Sequence, residues 1–134
     1  MLQLVRCLIK RTGLFGRYQK GLAHLQYGEY AQAYSVWLDL AEKGYSQAQF
    51  DLGVMLYNAI GVERDYEMAL YWLNKSAGQN HARAENYLGT IYMTGVGASQ
   101  DIDKALRYFK QAAEHGDMNA HANYAALLAG VPRN

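Results

Sequence analysis

The side chains that best fit a metal site are clustered near the C-terminus of this chain. His115, Asp117 and His121 lie close together in sequence, and imidazole and carboxylate groups are common ligands of zinc. A structural zinc site needs four ligands at short, regular spacings, whereas this cluster offers three at a loose spacing. We therefore interpret the three residues as ordinary surface side chains and expect neither a metal ion nor a cofactor.

The sequence contains no recognisable catalytic motif. Gly95 and Gly97 resemble part of a phosphate-binding loop, but such a loop follows a β-strand and none is predicted before them. No serine lies in the glycine pattern of a nucleophile elbow, and no pair of carboxylates is isolated in the apolar setting that raises a pKa. Cys7 is the only cysteine, so an intrachain disulfide and a thiolate metal cluster are excluded. We predict that the protein is not an enzyme.

The distribution of charge disfavours nucleic acid as the main partner. The chain has thirteen lysines and arginines and twelve acidic residues, which give a formal net charge of +1. Residues 1–28 carry five of the basic groups and no acidic group, and the later helices carry no basic stripe. The partner is therefore expected to be a protein or a peptide. A single cysteine suits a reducing, cytoplasmic location, while periplasmic and membrane-peripheral locations stay open.

An internal repeat organises the chain around any such binding site. Shifting Ala84–Gly116 back by 36 positions lays it over Ala48–Asn80. A fixed period of this size is typical of a solenoid of stacked helical hairpins, because one hairpin cannot bury its apolar face alone. The landmarks that fall in register are Leu88 on Leu52, Gly89 on Gly53, Gly97 on Gly61, Asp101 on Asp65, Ala105 on Ala69 and Ala113 on Ala77.

The repeated residues predict how each hairpin is built. Gly53 and Gly89 each cost about 1 kcal/mol inside a helix, so a close approach by a neighbouring helix is expected there. Asp65 and Asp101 stand where a helix N-cap is required. The residues expected to end the second helices in the left-handed conformation are Gly44, Asn80 and Gly116.

These patterns predict an all-α fold in a single domain over residues 1–134. It consists of an N-terminal amphipathic helix (1–13, ended by Gly13), a short repeat (14–45), two full repeats (46–81 and 82–117) and a terminal half-repeat (118–134). The predicted helices after the first cover Leu14–Gly28, Tyr30–Lys43, Ser46–Asn58, Tyr66–Gly78, Ala82–Thr94, Ile102–His115 and Met118–Ala129.

The second full repeat resembles the Sel-one-like repeat, a longer-looped relative of the tetratricopeptide repeat. The residues that carry the resemblance are Leu88, Gly89, Tyr92, Gly95, Gly97, Asp101, Lys104, Ala105, Ala112, Ala113 and Gly116. The preceding copy departs from the pattern at Leu56, Ala59 and Met68, and the short repeat resembles a tetratricopeptide repeat. The resemblance implies a right-handed α/α superhelical solenoid of antiparallel helix pairs, about three and a half in number, that serves as an adaptor surface in protein complexes. Such proteins are common in bacteria.

Repeat geometry also gives a candidate binding row, because the first helix of each hairpin lines the concave side of such solenoids. Amides and tyrosines mixed with one cation suit recognition of a peptide main chain, and a solvated face without a ligand is the alternative. The candidate partner-binding residues are Tyr18, Gln19, Gln47, Asp51, Asn58, Arg83, Asn86, Tyr87, Thr90, Asn119 and Asn123, with Leu22, Phe50, Val54 and Met93 between them.

The predicted function is that of a non-enzymatic adaptor or scaffold that binds a peptide or a partner helix in this groove. An inhibitor or immunity-type protein that covers a partner enzyme with its whole concave face is one alternative. A membrane-peripheral structural protein, tethered by residues 2–12, is another.

Both ends of the chain carry further expectations. Leu2, Val5, Leu8 and Ile9 fall on one face of the basic N-terminal helix. A cap that buries this face on the first repeat is the preferred interpretation, and a membrane contact or an organellar presequence stays open. At the other end, the predicted last helix has no following partner helix. This helix leaves Leu127 and Leu128 on an apolar end face. We therefore predict that a second copy docks there and forms a weak homodimer.

Overall fold

The computed structural model describes residues 2–130, with the side chains of residues 4–12 outside that description. Within this range the chain forms seven α-helices and no strand, which confirms the predicted all-α fold. The helices are α1 (Leu2–Gln26), α2 (Tyr30–Glu42), α3 (Ser46–Asn58), α4 (Tyr66–Ala77), α5 (Ala82–Thr94), α6 (Ile102–Glu114) and α7 (Met118–Gly130). From α2 onward every predicted boundary is correct to within one residue.

The N-terminal helix is the exception, because α1 passes through Gly13 without a break. The predicted helix over residues 1–13 and the first helix of the short repeat are therefore one helix of 25 residues. A single glycine weakens a helix interior by only about 1 kcal/mol, which is too little to end a helix that is stabilised further along. A continuous helix cannot fold back over its own repeat as a separate cap. The predicted burial of Val5, Leu8 and Ile9 concerns side chains outside the described residues.

The seven helices stack as a solenoid. The extensive contacts join helices that follow each other in the chain, from α1 on α2 through to α6 on α7. This pattern is typical of a linear array in which each hairpin contacts only its neighbours. In the part of the chain that the structure describes, no helix is both long enough and apolar enough to cross a membrane.

The helix-interior glycines mark the closest approaches inside the hairpins, as predicted. A Cβ atom at Gly53 in α3 would lie 2.7 Å from Leu73 Cγ in α4, and one at Gly89 in α5 would lie 2.6 Å from two ring carbons of Phe109 in α6. A Cβ at Gly21 would overlap the indole of Trp37. The missing side chains thus allow each pair of helices to pack at short range.

The ends of the helices also follow the predicted rules. Asp65 and Asp101 each accept a hydrogen bond at 3.0 Å from the backbone N–H three residues later, that of Met68 and that of Lys104. Asn80 has a φ of 60°, and the glycines at its equivalent positions, Gly44 and Gly116, also have positive φ. The repeat therefore specifies where its helices begin and where they end.

Candidate protein-binding surface

Contacts between the odd-numbered helices run along one side of the solenoid. At each junction, a side chain of one odd-numbered helix contacts a side chain of the next odd-numbered helix, 33 to 37 residues further along the chain. We call these six residues the cross-helix row: Tyr18 with Asp51, Phe50 with Tyr87, and Asn86 with Asn123. Five of the six are among the predicted partner-binding residues. Because each of them contacts a helix of another repeat, their first role is to join the repeats.

The row begins at a half-buried carboxylate on α3. Tyr18 Oη and Gln47 Nε2 both donate to Asp51 Oδ2, at 2.5 and 3.2 Å. Burial raises the pKa of Asp51 and outweighs the two hydrogen bonds and the charge of Arg83, which lower it. Burial also raises the pKa of Tyr18, which stacks on Trp37 with ring centroids 5.8 Å apart. The structure thus places a phenol and a carboxylate together where they hold α1 to α3.

This carboxylate is expected to reduce stability at neutral pH. The pKa of the Asp51 carboxyl in the folded state lies above the unfolded value of about 3.9. The free energy of unfolding therefore falls as the pH rises from the unfolded-state pKa through the folded-state pKa. Asp51→Asn removes the buried charge and keeps an oxygen that accepts from Tyr18. We expect its melting temperature to exceed that of the parent at pH 7, with the difference shrinking toward pH 3.

The matched control is Asp39→Asn on α2. Asp39 is exposed, and the hydrogen bond from Lys43 lowers the pKa of its carboxyl, so its ionised form favours folding at neutral pH. Asp39→Asn should therefore not raise the melting temperature. Equal behaviour of the two variants in thermal denaturation at pH 3, 5 and 7 would contradict the assignment.

A cation and a histidine surround the middle of the row. The guanidinium carbon of Arg83 lies 4.8 Å from the ring centroid of Phe50, and the ring of His81 lies 5.1 Å from it. His81 accepts from the Ala84 N–H through Nδ1, and its Nε2 lies 3.0 Å from the Gln47 side-chain oxygen. These contacts require the neutral Nε2–H tautomer. Burial, followed by the charge of Arg83, lowers the pKa of His81 accordingly.

An aromatic and amide pair completes the contact between α3 and α5. Asn58 Nδ2 donates to Tyr87 Oη at 2.6 Å and to the Val54 carbonyl at 3.1 Å. The Tyr87 ring lies edge-on to both Phe50 and Tyr57. Tyr87 is thereby held in one orientation, with part of its ring still exposed.

The predicted binding residues therefore divide into two groups. The structure brings Tyr18, Gln47 and Asp51 together, joins Asn58 to Tyr87, and joins Asn86 to Asn123. The other predicted residues are exposed and lie outside this network. Arg83 lies over the Phe50 ring, and the Thr90 hydroxyl donates a hydrogen bond within its own helix. These exposed residues are Gln19, Arg83, Thr90 and Asn119. His81 was not among the predicted residues, although it lies just before α5 and caps that helix.

The histidine considered first as a metal ligand has a different partner. His115 Nδ1 lies 2.7 and 2.9 Å from the two carboxylate oxygens of Glu85, a residue that is only 2% exposed. The same positions one repeat earlier hold Gln79 and Gln49, whose amides bond at 2.9 Å. Among the described residues no metal-binding group of three is found. The polar pair thus belongs to the repeat interface.

An open cavity lies at the C-terminal end of the stack. It has a volume of about 570 Å³ and is lined mainly by α6 and α7, including Ile102 and Leu127. At the preceding junction, Tyr57 and Tyr66 contact each other at the equivalent place, with ring centroids 5.0 Å apart. Smaller residues thus leave this end less filled. The predicted docking of a second copy here stays a prediction.

Comparison with known proteins connects this fold to a family. The Sel1 repeat profile matches residues 46–81 and 82–117. A Sel1 repeat protein from Oxalobacter formigenes is 34% identical, covers 75% of this chain and superposes with a TM-score of 0.71. A protective antigen present in uropathogenic Escherichia coli strains, which displays an SLR fold, is 28% identical, covers 90% and has a TM-score of 0.81. No curated protein matches the chain.

Both of these solved structures are longer than the region they share with the chain. The chain spans 40% of the Oxalobacter protein and 27% of the Escherichia coli antigen. The matched repeats include α3 to α6, and with them the central part of the cross-helix row. The chain therefore belongs to the Sel1 repeat family, whose repeats generally mediate protein–protein interaction.

Proposed function

We propose that this protein is a non-catalytic adaptor that binds an extended peptide segment across α3, α5 and α7. The observation that carries the proposal is the set of hydrogen-bonding atoms that the cross-helix row and the adjoining Asn58 leave unused. Among the described contacts, the side-chain nitrogen of Asn58 donates two hydrogen bonds, to Val54 and to Tyr87, and its side-chain oxygen accepts none. Asn86 uses its oxygen but not its nitrogen, and Asn123 uses its nitrogen but not its oxygen.

These unused atoms suit a peptide main chain. Oxygen of Asn58, nitrogen of Asn86 and oxygen of Asn123 alternate as acceptor, donor and acceptor on successive odd-numbered helices. A peptide that crosses these helices in an extended form gains about 3.3 Å per residue and presents its N–H and C=O groups in alternation. Because the cross-helix hydrogen bonds already fix these amides, little side-chain freedom is lost when a partner binds.

Arg83 supplies a charged contact beside this path. Its guanidinium rests on the Phe50 ring, which limits its rotation and leaves its donors exposed. A carboxylate or a main-chain carbonyl of the partner fits this position. We propose that Arg83 determines where along the row the partner binds.

The test begins with peptides selected against the parent protein from a random displayed library. Asn58→Ala with Arg83→Ala should weaken their binding about tenfold or more, because a hydrogen bond to a charged group contributes about 1.5–3 kcal/mol. Titration calorimetry measures the dissociation constants. The matched control is Arg107→Ala, which removes an exposed arginine from α6 and should leave affinity unchanged.

Both changes lie at exposed residues, so the variants should fold, as circular dichroism can verify. If the selected peptides bind the double variant as tightly as the parent, the binding site is elsewhere. An equal loss in Arg107→Ala would show that general charge, and not this row, attracts the peptides.

A further inference from the structure

The two halves of α1 carry their apolar residues on opposite sides of the helix. In the second half, Leu14, Tyr18 and Leu25 belong to the core, and Gly21 faces Trp37. At about 100° per residue these positions fall within an arc of about 60°. This arc defines the side of α1 that packs on the repeats.

The apolar positions of the first half do not continue that arc. They are Leu2, Leu4, Val5, Leu8 and Ile9. Because α1 is continuous, Gly13 does not reset the register, and the centre of this set lies roughly 160° from the core-packing arc. By register, Leu2, Val5, Leu8 and Ile9 occupy the side of α1 that is turned away from the repeats, and Leu4 lies nearer the core-packing arc.

Described residues on that side of α1 are uncovered. Phe15 and Leu22, which are 55% and 36% exposed, lie on the flank between that side and the core-packing arc. A Cβ atom added at Gly13 or Gly16 would meet nothing within 4 Å. The apolar register of the first half therefore continues onto a side of α1 that no other helix covers at Gly13 and Gly16.

The first half of α1 also projects beyond the hairpin. α2 has 13 residues against the 25 of α1, and Lys43, just after α2, lines one cavity together with Gly13, Leu14 and Arg17. Residues 2–12 thus extend about 16 Å past the end of α2, at 1.5 Å per residue. This geometry leaves the segment accessible to a large flat surface.

The charge of the segment identifies the kind of surface. By register, Lys10 lies opposite the centre of the apolar positions and Arg6 and Arg11 flank them on either side, and residues 1–28 contain no acidic group. A helix with an aliphatic side and an acid-free basic side is typical of segments that lie in the membrane interface. We propose that the N-terminal half of α1 binds the surface of an anionic lipid bilayer. Pairing with a second α1 fits less well, because it brings only basic charges together.

Sedimentation with lipid vesicles tests this proposal, which does not depend on peptide binding. The parent should bind vesicles of equal parts phosphatidylserine and phosphatidylcholine, and far less to phosphatidylcholine alone. Val5→Asp places a charge among the apolar positions and should weaken binding about tenfold or more. Gln3→Asp makes the same charge change on the basic side and should cost about fivefold or less.

Folding and self-association are measured on the same proteins. Deletion of residues 2–12 should abolish vesicle binding and leave the melting temperature unchanged, because the segment projects past α2. No binding of the parent to the anionic vesicles would overturn the proposal. So would equal losses in Val5→Asp and Gln3→Asp, which indicate charge attraction without insertion. A dimer in light scattering that Val5→Asp dissociates, without vesicle binding, would identify a second copy as the partner.

Discussion

Replacing Gly89 by alanine is expected to lower the free energy of unfolding by about 2 kcal/mol, although alanine favours a helix over glycine by about 1 kcal/mol. The new Cβ would lie 2.6 Å from two ring carbons of Phe109, which is completely buried. The ring cannot move aside without displacing α6. Overpacking of this kind costs about 1–3 kcal/mol, and because the ring is enclosed we expect the upper end of that range, of which the gain in helix propensity offsets about 1 kcal/mol. Urea denaturation measures the change.

Gly16→Ala on α1 is the matched control. A Cβ atom there meets nothing within 4 Å, so the helix propensity alone should act and raise stability by up to about 1 kcal/mol. Gly89→Ala combined with Phe109→Leu should recover part of the loss relative to the sum of the single changes, because the two positions are in contact. If Gly89→Ala is as stable as the parent, the hairpin α5–α6 has room to separate.

Removing the His115 side chain is expected to cost about 3 kcal/mol at neutral pH, because it leaves the Glu85 carboxylate buried without its partner. Glu85 is only 2% exposed, and His115 Nδ1 is within hydrogen-bond distance of both of its carboxylate oxygens. His115→Ala is the variant, and thermal or urea unfolding is the measurement. A loss below about 1 kcal/mol would mean that water replaces the imidazole.

The preceding repeat supplies the control for this pair. Gln79 Nε2 donates to Gln49 Oε1 there, and Gln49 Nε2 donates to the Ala41 carbonyl at 3.0 Å. The double variant Glu85→Gln with His115→Gln reproduces this neutral pair at the next junction. It should stay within about 1 kcal/mol of the parent, because every buried polar group keeps a partner. A loss as large as that of His115→Ala would show that size, and not the buried charge, controls this position.

The candidate binding surface could be predicted only in part. Stepping along the first helix of each hairpin selected all six residues of the cross-helix row, because the helical period fixes which positions share a side. It did not reveal that Tyr18 is buried against Asp51, or that Asn86 already bonds to Asn123. The unused amide atoms that define the proposed peptide path emerge only after these contacts are known.

The sequence by itself determined the helices from α2 onward, the N-caps Asp65 and Asp101 and the close glycine contacts. The signals for these features act over short distances: an N-cap bonds three residues ahead, and a left-handed residue ends its own helix. The 36-residue period then predicted the close helix–helix contacts at the glycines inside each hairpin. Repetition of a local pattern is sufficient for these features, because every copy solves the same packing problem.

Only the tertiary structure decided how the repeats join and how the chain begins. The pairs Tyr18–Asp51, Phe50–Tyr87, Asn86–Asn123 and Glu85–His115 connect residues 30 to 37 positions apart, and residue type does not repeat among them. Their geometry depends on how one hairpin is rotated onto the next, which no local pattern encodes. Gly13 likewise reads as a helix end by local rules, yet the packing of Leu14, Tyr18 and Leu25 stabilises α1 beyond it. Tertiary packing outweighs the small helix penalty of one glycine, and it therefore sets the register that turns the two apolar faces of α1 apart.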